Sequence, residues 1–186
     1  MTVIEAIRSR RSTKKFTATP VTRDQVETLL DLAVLAPNHR MSAPWRFVVL
    51  GPEARAAYGR VLGGRKAQKV ADPEAARTVR ERTLADTVAA PLMIAVVQVQ
   101  SPNPEILEED YAAIWMAIQN MLLGAVALGL ATHIRTGAVF SDPAVRQAWG
   151  LADGERAVGV ILVGEPDGPT EPKARVPAAE RTVWVP

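Results

Sequence analysis

Between Arg10 and Phe16 the chain sets Arg10, Arg11, Ser12, Thr13, Lys14 and Lys15 in a row, four cations and two hydroxyls in six positions. Val3, Ile4 and Ile7 share one helical face just upstream, so Arg10 and Arg11 fall at or just past a helix end. Two readings fit that placement. Cations there complement the negative end of the helix dipole and need no ligand. Alternatively, guanidinium forks, hydroxyls and loop amides together form a phosphate-binding set, because they offer many donors in fixed directions. The dipole accounts for one or two basic residues, but not for two hydroxyls held between two basic pairs.

The elements around this turn can be followed by period and punctuation. Val21 to Ala36 reads as a second helix, opened by Thr22 and Gln25 at capping-box spacing and stopped by Pro37. A polar and aromatic loop, residues 37–45, feeds a strand over Arg46–Leu50 that Gly51-Pro52 ends. A short helix follows over Glu53–Leu62, and residues 63–86, polar and rich in Arg and Ala, read as a mobile helical excursion. Leu92–Val99 is a nearly continuous apolar run, the pattern of a strand buried on both faces. The longest apolar stretch, Tyr111–Leu130, could span a bilayer by length, but Gln119 and Asn120 sit mid-stretch and no basic cluster flanks it. It reads as a central core helix, placed at a subunit interface. Ala131–Gly137 gives a short strand leaving into a loop, Ser141 or Asp142 caps a helix running to Trp149, and Ala157–Val163 is a third strong strand. The Pro-rich remainder ends in the apolar piece Thr182–Val185, which should dock on its own sheet or on a partner subunit. Strands interleaved with helices over 186 residues predict one α+β or α/β domain, 1–186, that buries roughly 70% of its unfolded surface.

Composition excludes several chemistries. With 22 basic and 20 acidic residues the net charge is only +2, which argues against a nucleic-acid partner. No cysteine is present, so thiolate nucleophiles, thiolate metal sites and disulfides are out. His39 and His133 are the only histidines and neither has metal-ligand spacing, so no metal is expected. No P-loop, dinucleotide fingerprint or nucleophile elbow occurs. The N-terminus lacks the basic start and apolar stretch of a signal peptide, and the expected location is cytoplasmic, off the membrane. With side-chain catalysis this poorly provided for, an enzyme here would rely on a bound cofactor.

The order Arg10-Arg11-Ser12-Thr13-Lys14-Lys15-Phe16, Ala36-Pro37-Asn38-His39, Pro44-Trp45-Arg46-Phe47, Ile134-Arg135-Thr136-Gly137, Gly164-Glu165-Pro166 and Lys173-x-Arg175-x-Pro177 resembles the FMN-dependent nitroreductase family, and most closely its minimal-length NAD(P)H nitroreductase members. The resemblance spans the whole chain. It implies a nitroreductase-like three-layer sandwich, a central mixed β-sheet flanked by helices, in a homodimer with FMN in two clefts at the interface. It implies Arg10 and Ser12 on the FMN phosphate with Arg11 beside them, and Lys173 and Arg175 completing that site. Lys14 would lie near the pyrimidine edge of the ring, and Ile134, Arg135 and Thr136 along it, with backbone amides near its reactive nitrogen. Pro37, Asn38 and His39 would come from the other subunit. The implied activity is two-electron, ping-pong transfer from NADH or NADPH, as co-substrate, to a small electron-poor acceptor such as a nitroaromatic or quinone. The flavin would carry the chemistry, with no catalytic side chain. The alternative is a non-catalytic protein that stores or delivers FMN.

Overall fold

The computed structural model describes residues 1–186. Thr2 and Glu5 form a capping box that starts α1 (Val3–Ser9), and Arg10 leaves it in an extended conformation. Its apolar face does not pack within the chain. Only Ala6 is buried, while Val3, Ile4 and Ile7 are exposed. The Thr22–Gln25 capping box forms as the spacing predicts and opens α2 (Arg23–Val34). β1 (Trp45–Val49) follows the loop, then α3 (Pro52–Ala67), α4 (Pro73–Val88), β2 (Leu92–Val99), α5 (Pro104–Ala127), β3 (Ala131–Arg135), α6 (Pro143–Ala148) and β4 (Glu155–Gly164).

The strands form one sheet in the order β1-β2-β4-β3. Central β2 is buried from Leu92 to Gln98 and sends alternate side chains to opposite layers, as its run of apolar residues requires. Ile94 and Val96 join Leu29, Ala33, Ile114, Ile118 and Met121 beneath α2 and α5. Met93 and Ala95 join Tyr58, Phe140, Val145 and Trp149 beneath α3 and α6. This is the expected three-layer sandwich. The sheet is less mixed than expected: all named strands pair antiparallel, and the parallel contact is confined to an isolated bridge between Ser12 and Thr132.

α5 buries one face in the core and leaves Tyr111 and Met116 exposed on the other, and no helix is long and apolar enough to cross a membrane. Its two mid-helix polar residues both have uses. Asn120 Nδ2 donates to the Leu32 carbonyl at 3.1 Å, while Gln119 lines a cavity described below. A Cβ on Gly124 would stand 2.5 Å from Leu32 Cδ1, so glycine there sets how closely α2 and α5 approach.

The 63–86 stretch is not a mobile excursion. α3 continues to Ala67, Asp72 caps α4 by accepting from the Ala75 amide, and the two helices pack as an antiparallel hairpin. Their contact relies on close approach, not apolar bulk: a Cβ on Gly63 would lie 3.0 Å from the Arg80 carbonyl oxygen. The terminal piece departs from one of its two expectations. Val183, Trp184 and Val185 are 86%, 89% and 85% exposed, so they do not dock on the chain's own sheet.

One ion pair links β1 to β4 across the end of central β2. Arg46 Nε and Nη2 donate to Glu155 Oε1 and Oε2 at 2.7 and 2.6 Å, and the Ala152 amide adds a third donor at 2.9 Å. Hydrogen bonding from Arg46 holds the Glu155 carboxyl below its ordinary range. Because the folded-state value is depressed, this stabilisation is complete above the unfolded carboxylate pKa and is lost as pH falls through the folded one. Glu155→Gln should cost about 1–2 kcal/mol at pH 7, part of the pair being exposed. In urea denaturation the gap from the parent should narrow as pH drops below about 4. A gap of constant size across that range would assign the loss to packing instead.

Candidate functional site

The site is assembled by an extended segment, Ser12–Thr17, held on both sides by backbone. The Thr13 amide donates to the Thr132 carbonyl at 2.9 Å, fastening the segment alongside β3. On its other side the Thr17 amide donates to Glu165 O at 3.0 Å and the Asp167 amide to Lys15 O at 3.1 Å. Thr13, buried, shares a 3.1 Å hydroxyl contact with Thr170, and the Thr17 and Thr19 hydroxyls donate to Glu165 Oε2 at 2.9 and 2.6 Å. The C-terminal segment is thereby brought back over the N-terminal one. That return delivers Lys173 and Arg175 to the Arg10–Ser12 turn, although more than 150 residues separate them along the chain.

Two neighbouring cavities result. The first, of about 460 Å³, is lined by Arg10, Arg11, Ser12, Lys173 and Arg175, with Gln119 from α5 and one acid, Glu171. All five residues expected on a phosphate are therefore brought together. Arg11 is the least free of them, because its Nη1 donates to the carbonyls of Arg8 at 2.6 Å and Arg10 at 3.1 Å. The second cavity, of about 760 Å³, collects Lys14, Arg135 and Thr136 as expected, together with residues from the α3–α4 hairpin. Ser12 lines the first cavity and Lys14 the second, so the two adjoin one short stretch of backbone.

The second cavity is crowded with positive charge. Lys14, Lys15, Lys66, Arg82 and Arg135 line it, against Asp86 and Asp167. Burial, and then the charges of Arg135 and Lys14, push the Lys66 ammonium below its ordinary pKa, with Asp86 opposing. Burial raises the Tyr58 phenol, and the Arg135 guanidinium beside it partly offsets that rise. Ile134 differs from its neighbours in direction. Its side chain packs with the α2–α5 core, and it does not line the cavity that Arg135 and Thr136 line.

Pro37, Asn38 and His39 line neither cavity of their own chain. They sit on a loop clamped to the start of α5. Arg40, Met41 and Ala43 all have positive φ, at 69°, 52° and 46°. Non-glycine residues in this region cost of order 1–3 kcal/mol each and persist only when their surroundings hold them. Here Asn38 Oδ1 accepts from the Ala43 amide at 2.7 Å, and Ser42 Oγ donates to the buried Asp110. His39 Nδ1 meets Glu109 at 2.9 Å and Arg40 Nε donates to the same carboxylate at 3.2 Å, which pulls the Glu109 pKa down. The Asn38 side chain, expected at a flavin, is thus committed to shaping its own loop.

Sequence reasoning missed Lys66, Arg82, Asp86, Tyr58 and His133 in the second cavity, and Gln119 and Thr170 in the first. None lies in a motif. Their common signal is topological, since α3, α4 and the return of residues 165–170 must be placed before these residues can be seen to converge.

Comparison with known proteins accords with this geometry. A model of the nitroreductase family matches residues 7–165. The Bacillus subtilis (strain 168) protein "Putative NAD(P)H nitroreductase YfhC" is 32% identical over 177 residues, covering 95% of this chain and 91% of the relative. YdjA of Escherichia coli K12, which carries the same description, is 28% identical over 179 residues, 95% of each chain. Among solved structures, a nitroreductase-like family protein from Bacillus cereus superposes with a TM-score of 0.85 at 28% identity, over 100% of this chain and 96% of that one. An FMN-bound nitroreductase from Bacteroides fragilis shares the fold at a TM-score of 0.75 and 22% identity, over the full length of both chains. The resemblance read from the Arg10–Phe16 turn and the later motifs is borne out, and this chain belongs to the nitroreductase family.

Proposed function

We propose that the chain is an FMN-dependent oxidoreductase that uses NADH or NADPH to reduce small electron-poor acceptors, nitroaromatics and quinones among them. One observation carries this reading. A smaller cationic cavity and a larger one lie side by side along Ser12–Lys14, matching a ligand with a dianionic tail and a flat polar ring. The names of the full-length relatives, NAD(P)H nitroreductases, and the FMN held by a fold neighbour point the same way.

When bound, FMN supplies the two-electron hydride chemistry, receiving from NAD(P)H and passing on to the acceptor in ping-pong order. The chain's own residues do the rest. Arg10, Ser12, Lys173 and Arg175 supply charge-assisted donors for the phosphate, with Arg11 alongside. Lys14, Lys66 and Arg135 present positive charge where electrons arrive, and such preoriented charge favours the reduced state. The backbone of Ile134, Arg135 and Thr136 forms a wall against which the ring can lie, which fixes the reacting faces at close range. No side-chain general base is required.

The homodimer belongs to the same proposal. Val3, Ile4, Ile7 and Leu35 leave an apolar face uncovered, and Val183–Val185 project without a seat on their own chain. A second copy would cover these surfaces and would carry its strained loop, with Pro37, Asn38 and His39, to the neighbour's cleft.

Three measurements test this. Replacing Arg10 and Ser12 together by alanine should give soluble, colourless protein, and an unchanged FMN content would remove the phosphate assignment. Stopped-flow mixing of the FMN-loaded protein with NADH or NADPH should bleach the flavin rapidly. An absorbance steady over minutes would favour FMN storage instead. Light scattering should give a dimeric mass, and removing residues 182–186 should shift it toward the monomer. An undiminished dimer would show that the terminus plays no part in association.

A further inference from the structure

His133 is used by none of these roles, yet it occupies the second cavity. It projects from β3 on the same sheet face as Arg135 and lies across from Leu162 of β4. One of its ring nitrogens, Nδ1, is sealed from solvent and has no hydrogen-bond partner. A neutral imidazole carries a single N–H, on one nitrogen or the other. A proton on Nδ1 would bury an unpaired donor, at a cost of about 1–3 kcal/mol. Buried unpaired acceptors are the better tolerated of the two. The proton therefore belongs on Nε2.

Charging the ring fully would place a proton on Nδ1 as well, and nothing there can accept from it. The surroundings discourage it further. Lys14 and Lys15 approach from the N-terminal segment, Arg135 from β3, Lys66 and Tyr58 from α3, Arg82 and Asp86 from α4, and Asp167 and Lys173 from the C-terminal segment. Burial, then the charges of Arg135, Lys14 and Lys173, depress the imidazole below its ordinary pKa. Lys173 lines the first cavity and Lys14 the second, so the ring feels positive charge from both.

We infer that His133 is a neutral hydrogen-bond donor, through Nε2–H, to the ligand that bridges the two cavities. The inference rests on the reading of that ligand as FMN. A neutral donor contributes direction at a place where further positive charge would be repelled. Enzymes use neutral imidazoles in this way to polarise an oxygen without adding a proton.

The chain has only two histidines, so a long-range proton–nitrogen correlation spectrum of histidine-labelled protein distinguishes them directly. At pH 7 His133 should appear as the neutral Nε2–H tautomer, and its signals should move when FMN is added to the apoprotein. An Nδ1–H tautomer or a charged ring would overturn the inference without any mutation. In FMN titrations His133→Leu should weaken binding about tenfold, and His133→Gln, which keeps an N–H at similar reach, should stay within about threefold of the parent. If His133→Leu binds as tightly as the parent while Lys14→Ala binds more weakly, the flavin uses this cavity but not the imidazole, and the inference fails alone. If neither substitution changes the affinity, the placement of FMN in the cavity fails and takes the inference with it.

Discussion

The site depends on the Ser12–Thr17 segment being fastened on both edges at once. Its amides and carbonyls are shared between β3 and residues 165–167, and the buried Thr13 locks to Thr170. Each backbone bond is worth only about 0.5–1.5 kcal/mol net. Their value here is geometric. Without the bond to Thr132 the Arg10–Ser12 turn would be a frayed helix end. Without the bonds to 165–167 the Pro-rich C-terminal tail, which has no strand and little buried surface of its own, would have no reason to return. One short stretch of backbone therefore turns two distant basic clusters into a single cavity wall.

That wall brings like charges together, which folding alone does not favour. Burial first, and then the cations around them, lower the pKa of both Lys66 and His133, and the acids within reach are fewer than the bases. In the isolated chain this is a standing electrostatic cost, tolerable because most of the cations keep access to water. An anion entering either cavity would remove that cost while gaining its own contacts. Any ligand that binds the folded state and not the unfolded one stabilises it by mass action. A cation cluster of this kind is thus an argument about the ligand's charge as much as about its position.

What the sequence made legible was whatever depends on short-range pattern. The Thr22–Gln25 box fixed the start of α2, the unbroken apolar run of β2 fixed a doubly covered strand, and the dense Arg10–Lys15 turn stood out because six consecutive polar residues have no place in a core. The α3–α4 hairpin was not legible. Its interface is made of Gly59, Gly63, Ala76, Thr83 and Thr87, residues whose contribution is the absence of bulk, and low hydrophobicity is also the mark of a loose segment. Lys66 and His133 were hidden for a related reason. A lysine late in a helix and a histidine in an edge strand look solvated or merely structural until the α3 face and the sheet are seen to meet around them. The exposed face of α1 shows the converse failure: helical period identifies an apolar stripe but not which molecule covers it.

The loop over residues 38–43 shows how local rules can be overruled. Three non-glycine residues with positive φ within four positions should collapse to a relaxed turn if nothing opposed it. Opposition comes from α5, whose acidic opening Glu105, Glu109 and Asp110 receives Arg40, His39 and Ser42. These ion pairs are largely exposed, and exposed pairs contribute at most about 1 kcal/mol each. The buried Asp110 is different, since a carboxylate out of water demands donors, and Ser42 and Asn38 are the groups that reach it. The loop's conformation thus follows less from its own sequence than from the buried Asp110, 68 residues beyond Ser42, whose carboxylate must be satisfied. A helix of 24 residues anchored in the core along one face does not shift to suit a loop, so the loop bends to the helix and carries Pro37, Asn38 and His39 outward with it.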